Sequence, residues 1–133
     1  MTMTHWMLAA LTIFFIQTLL PASIRFLFAG DTSRLLSIAL GPRDTLPEMP
    51  VIGERAARAL NNMHEAMPVF LTLALLSILE QKSTGVAATG AMVFVIARAL
   101  YVPAYMSGVI GVRSVVWVAS WFGLGAMIYA LLV

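Results

Sequence analysis

Glu54-Arg55-Ala56-Ala57-Arg58-Ala59-Leu60-Asn61-Asn62-Met63-His64-Glu65-Ala66-Met67-Pro68 runs without a break into the apolar Val69-Phe70-Leu71-Thr72-Leu73-Ala74-Leu75-Leu76. At about 100° per residue, Arg55, Arg58, Asn62 and Glu65 fall within about 80° of one helix face. Asn61 lies off that arc and His64 is roughly opposite Arg55. A polar stripe continuous with an apolar helix is costly in lipid unless it faces a bundle interior or a watery cavity. The stretch is therefore the first place to look for function.

Beyond it, 61% of the 133 residues are hydrophobic and only 11% are charged. A soluble chain of this length needs more polar residues than that to cover its surface, so the composition is that of an integral membrane protein. The length suits one domain over residues 1–133, and no repeat or linker divides it. A net charge of +2, with arginines scattered among apolar segments, does not suit nucleic acid. Without cysteine there is no disulfide, no thiolate metal site and no cysteine nucleophile, so any thiol chemistry takes its thiol from a ligand. His64 has no carboxylate or cysteine partner at metal-ligand spacing, and no metal is expected.

Roughly 20 apolar residues cross a bilayer core. Four segments reach that length: about His5 to Phe28, Ala56 to Leu79, Gly85 to Tyr105, and Arg113 to Val133. The first is interrupted by Gln17, Pro21 and Arg25, and it lacks the basic start and cleavage site of a signal peptide, so it is expected to be retained. Between Ala29 and Pro50 the breakers Gly30-Asp31, Gly41-Pro42-Arg43-Asp44, Pro47 and Pro50 predict a connection, with a short interfacial helix over Ser33 to Leu40. Pro68 is expected to bend the second helix and free a carbonyl beside the stripe. Turns are expected at Glu80 to Ser83 and at Met106 to Val112.

Arg25, Arg34, Arg43, Arg55 and Arg58 flank the first connection, Arg98 and Arg113 flank the third, and only Lys82 lies on the other side. The positive-inside rule then puts both termini on the non-cytoplasmic side of the membrane (the inner membrane, in a bacterium) and every arginine at the cytoplasmic end.

Arg98, Tyr101 and Tyr105 share one face of the third helix, and Arg113-Ser114 opens the fourth at the same end. Together with the Glu65 stripe they suit a small anionic ligand, since guanidiniums clamp carboxylates bidentately and Glu65 takes an ammonium or another arginine. The structural alternative is a Glu65–Arg98 ion pair with the other arginines snorkelling to headgroups. Positive-inside alone accounts for Arg34 and Arg43. Trp6, Trp117 and Trp121 suit belt or packing roles, and the nine methionines suit lipid contact or packing.

Glu54-Arg55-x-x-Arg58-Ala-x-x-Asn62-x-x-Glu65, with a proline following, resembles the second-helix signature of the MAPEG family, the membrane-associated proteins of eicosanoid and glutathione metabolism. Arg98 with Tyr105 seven residues on, and Arg113-Ser114-Val115 opening the last helix, extend the resemblance over essentially the whole chain. It implies an all-α membrane protein, a homotrimer of four-helix subunits binding glutathione between neighbours near the cytoplasmic side. By motif position, Arg58, Asn62 and Glu65 would hold glutathione's charged ends, with Arg98, Tyr101 and Tyr105 lining the site. Arg113, with Ser114, would stabilise the thiolate, and Arg25 matches loosely a basic residue ending the family's first helix. The implied activity is that of a glutathione transferase or peroxidase acting on an apolar electrophile from the bilayer. Asn61 and Tyr101 depart from the eicosanoid synthases, which carry arginine and histidine there, and nothing in the sequence supports an eicosanoid role. Two alternatives remain. One is a non-catalytic lipid or glutathione binder on the same scaffold, against which Arg113 argues. The other is a small multidrug transporter coupled through Glu65, whose usual glutamate stands in the first helix instead.

Overall fold

The computed structural model describes residues 1–28, 40–41, 48–109 and 111–133. They form four helices, α1 (Met3–Phe28), α2 (Val51–Leu79), α3 (Gly85–Ser107) and α4 (Val112–Leu132), with no strand among the described residues. Each helix is long and apolar enough to cross a membrane, so the chain is an all-α, multi-pass integral membrane protein. The interfacial helix expected over Ser33 to Leu40 lies, Leu40 apart, outside the described residues, as do Arg34 and Arg43.

Where the observed spans differ from those expected, the cause is local. α2 begins at Val51 rather than Ala56, because extended Pro50 opens it and its carbonyl accepts from the backbone of Gly53 (2.8 Å) and Glu54 (3.1 Å). Its 29 residues measure about 43 Å at about 1.5 Å each. An apolar core of about 30 Å leaves about 13 Å over, which is the length carrying Glu54, Arg55 and Arg58. The chain stays helical through Pro21, Pro68 and Pro103. The hydroxyls of Thr12, Thr18, Ser23, Thr72 and Thr89 bond back to the carbonyl one turn earlier, so they meet lipid already satisfied, and buried Ser77 is satisfied in the same way.

Packing follows small residues. α3 and α4 share the most extensive contact, and Gly90 and Gly123 bring their backbones together: a Cβ on Gly90 would stand 2.6 Å from the Gly123 carbonyl, and one on Gly123 2.7 Å from that of Gly90. Between lipid-soluble helices the hydrophobic effect supplies little, so close approach and dispersion carry association. Phe70 of α2 stacks on Phe94 of α3 at 4.5 Å and 9°, within a core of Met63, Ala66, Ala87, Ala91, Leu124 and Met127. α1 buries Met3, Ala10, Gln17 and Ile24, one every seven residues, the repeat that keeps one seam against its neighbours. At the far end, Lys82 Nζ donates to the Leu131 carbonyl (3.0 Å), a cation on the last turn of α4.

Candidate functional site

The polar residues converge where α2 begins, α3 ends and α4 begins. Arg98 is only 1% exposed, and its Nη1 donates to Asn62 Oδ1 at 2.7 Å. Its guanidinium carbon lies 5.3 Å from the Phe94 ring centroid and 5.6 Å from that of Tyr101, so aromatic faces take up part of the charge. Two further donors, Nε and Nη2, are buried without a partner. The i, i+3, i+7 spacing does what helical geometry dictates: Tyr101 and Tyr105 meet edge to face at 5.5 Å, and Arg113 of α4 stands 5.0 Å over the Tyr105 ring. A polar file therefore runs Asn62, Arg98, Tyr101, Tyr105, Arg113 from the interior of the span to its end.

Two cavities adjoin this file. One, of about 390 Å³, is lined by Arg55, Arg58, Tyr105, Gly108, Arg113 and Ser114 among others. The second, of about 470 Å³, is lined by Asn62, Tyr101, Tyr105, Arg113, Ser114, Trp117 and Val118. Both volumes suit a small molecule. Tyr105, Arg113 and Ser114 belong to both, so they form the wall between a chamber rich in arginine and one that opens toward apolar side chains.

The structure brings Arg58, Asn62, Arg98, Tyr101, Tyr105, Arg113 and Ser114 to one end of the bundle, with Arg98 buried beside Asn62 and Tyr101. Arg98, Glu65 and Arg25 line neither cavity. Glu65 is exposed and makes no ion pair among the described residues, so the Glu65–Arg98 pair of the structural alternative is not formed and Asn62 takes its place. Arg25 is half-buried near the end of α1, its Nε buried without a partner among the described residues. Among the described residues the one ion pair is Arg58–Glu54 at 3.4 Å, both side chains about half exposed, and such pairs contribute little. No group of three or more potential metal ligands occurs among the described residues.

Two residues of the cavity walls have no site role in the sequence reading: Arg55 stands there only within the stripe, and Trp117 only as a belt or packing residue. The signal for Trp117 is that it stands one turn beyond Arg113 on the same face. Gln17 lines neither cavity; it is 4% exposed, its Oε1 buried without a partner among the described residues.

Fold and site thus define a multi-pass membrane protein with an arginine-lined cavity at one end of a four-helix bundle. The chain matches the model of the MAPEG family over residues 3–133, nearly its whole length, and it belongs to that family. The family is associated with glutathione in general, and its members include glutathione transferases, peroxidases and enzymes of eicosanoid synthesis. No curated protein and no solved structure gives a match.

Proposed function

We propose that the protein is a membrane-bound glutathione transferase or peroxidase that joins or presents a glutathione thiolate to an apolar electrophile. The observation that carries the reading is the shared wall of Tyr105, Arg113 and Ser114 between the two cavities. The donor set fits a tripeptide with two carboxylates: Arg58 lines the first cavity, Asn62 and Tyr101 the second, and Arg98 beside them keeps two buried nitrogens, Nε and Nη2, without an acceptor among the described residues. Arg58, Asn62, Glu65, Arg98, Tyr101 and Tyr105 would hold glutathione, and Arg25 is included only through its loose match to the basic residue that ends the family's first helix. Bound glutathione would supply the thiol that this cysteine-free chain lacks. Arg113 acts on it electrostatically, since a nearby guanidinium favours thiolate over thiol, and the Ser114 hydroxyl offers the sulfur a donor. Trp117 and Val118 give an apolar approach from the bilayer, so holding both reactants at one wall is a proximity effect.

The same reading includes a homotrimer with glutathione between subunits. Asn61, His64 and Glu65 are all exposed within the span of α2, and a carboxylate facing lipid there is costly. A second copy packed on this surface removes that cost and brings Glu65 to a site that one subunit leaves incomplete. Both termini lie on the non-cytoplasmic side in this account, with the cavities opening to the cytoplasm.

Replacing Arg113 with alanine tests the proposal. The variant is expected to lose the thiolate absorbance of bound glutathione and most conjugation of a generic apolar electrophile, while much of the glutathione affinity survives. Wild-type protein that binds glutathione but forms no thiolate and conjugates nothing across a panel of electrophiles is a non-catalytic binder. Equal turnover in both removes Arg113 from the activating role.

A further inference from the structure

Arg55 lines the arginine-rich cavity, yet its guanidinium is already engaged. From the second turn of α2 its Nη1 donates to the Met106 carbonyl of α3 at 3.1 Å. That carbonyl lies in the last turn of α3, where no intrahelical donor remains for it and where the helix dipole favours a cation. Its neighbour Ala104 is served differently, by the Ser107 hydroxyl at 2.9 Å. Beside Met106 the same guanidinium packs against Gly108. A Cβ on that glycine would stand 2.8 Å from the guanidinium carbon and 2.9 Å from Nη2. Gly108 ends α3 in the left-handed conformation, φ 73° and ψ 10°. The positive φ selects glycine there, and an added Cβ would push the Arg55 guanidinium, the far end of a flexible side chain, off its seat.

The clasp fastens the start of α2 to the end of α3, five residues before Arg113. Arg113 in turn is seated over Tyr105, which belongs to the same last turns of α3. We infer that Arg55 is a positioning residue: by gripping Met106 and Gly108 it fixes the end of α3, and so the seat of Arg113 over Tyr105, rather than serving as a ligand contact itself. The role toward a thiolate rests on the proposed reading of Arg113, but the clasp itself does not.

Three variants separate the possibilities. Arg55→Met removes the grip, Gly108→Ala displaces the guanidinium without changing any charge, and Arg55→Lys keeps a cationic donor without the planar face. The chain has no cysteine, so spin labels at Val51→Cys and Val115→Cys, both exposed positions, are the only ones present. With labelled protein diluted into unlabelled protein, the α2–α4 distance distribution is expected to be narrow in the parent. It should shift or broaden in Arg55→Met and Gly108→Ala, and Arg55→Lys should recover most of the parent distribution. In parallel, the pKa of the bound glutathione thiol should rise by about one unit in Arg55→Met and Gly108→Ala, cutting thiolate near neutrality up to about tenfold. Glutathione affinity should stay within about threefold in both. An unchanged distance distribution in Arg55→Met overturns the inference. So does a loss of affinity of about tenfold in Arg55→Met that Gly108→Ala does not share, because Arg55 is then a direct contact. If the parent forms no thiolate at all, the reading of Arg113 fails, and the distances alone decide whether the clasp exists.

Discussion

Replacing Asn62 with leucine removes the only acceptor that the buried Arg98 guanidinium has among the described residues. Ordinary interhelical hydrogen bonds in membrane proteins average about 0.6 kcal/mol. This one is stronger for two reasons. The donor is charged, which raises a bond to about 1.5–3 kcal/mol, and its loss leaves a third nitrogen, Nη1, unmatched beside Nε and Nη2. Asn62→Leu is therefore expected to destabilise by about 2 kcal/mol, about 30-fold in the folding constant. Arg98→Met should behave in the opposite way. Removing the charge together with its desolvation cost is often neutral or stabilising, so its stability should stay within about 1 kcal/mol of wild type, while glutathione affinity falls about tenfold or more as the spare donors are lost. In the double variant the cost of Asn62→Leu should largely vanish. Unfolding in mixed micelles, followed by fluorescence of Trp6, Trp117 and Trp121, measures stability, and glutathione titration of the same samples measures affinity. An Arg98→Met protein that is the less stable of the two single variants and binds glutathione like wild type would refute the reasoning, leaving Arg98 a structural group.

The remaining expectations are independent of that pair. Gly123→Ala should separate α3 from α4 and cost about 1–3 kcal/mol as an overpacking change, whereas Gly125→Ala, with nothing within 4 Å of the added carbon, should gain up to about 1 kcal/mol of helix propensity; equal effects in thermal unfolding would contradict the glycine contact. Glu65→Gln should weaken glutathione binding without loss of fold, since a bound ammonium or a neighbour's arginine loses its counter-charge; unchanged affinity would place Glu65 outside the site. A reporter fused at Val133 should be active only on the non-cytoplasmic side, and cytoplasmic activity would reverse the proposed orientation.

Much of this fold is legible in the residues because lipid imposes a simple rule: a span is a long apolar helix. The same rule hides the start of α2. Hydropathy starts the span at Ala56 and leaves out Glu54 and Arg55, although the helix already begins at Val51. The faces of the site were also legible, since helical spacing alone lines up Arg98, Tyr101 and Tyr105. Partners across helices were not. Spacing sets Asn62 and Glu65 on one stripe, but the axial offset between α2 and α3 decides that Arg98 meets the amide and leaves the carboxylate exposed. Arg55 illustrates the same limit: its neighbours in sequence suggest a ligand-facing cation, and only the end of α3 shows that its guanidinium is engaged there. Glycines were ambiguous as well, because Gly90 and Gly123 read like Gly125 until the helices are packed.

Central to the account is a site for glutathione between arginines and tyrosines. Thermal unfolding of the purified protein over a series of glutathione concentrations tests it most directly. A ligand that binds only the folded state stabilises it by about 2.7 kcal/mol at a hundred times its Kd. Tm should rise with glutathione and saturate, with a smaller rise in Arg58→Ala and Arg98→Met. A Tm that does not move with glutathione, or that rises equally in wild type and both variants, would contradict it.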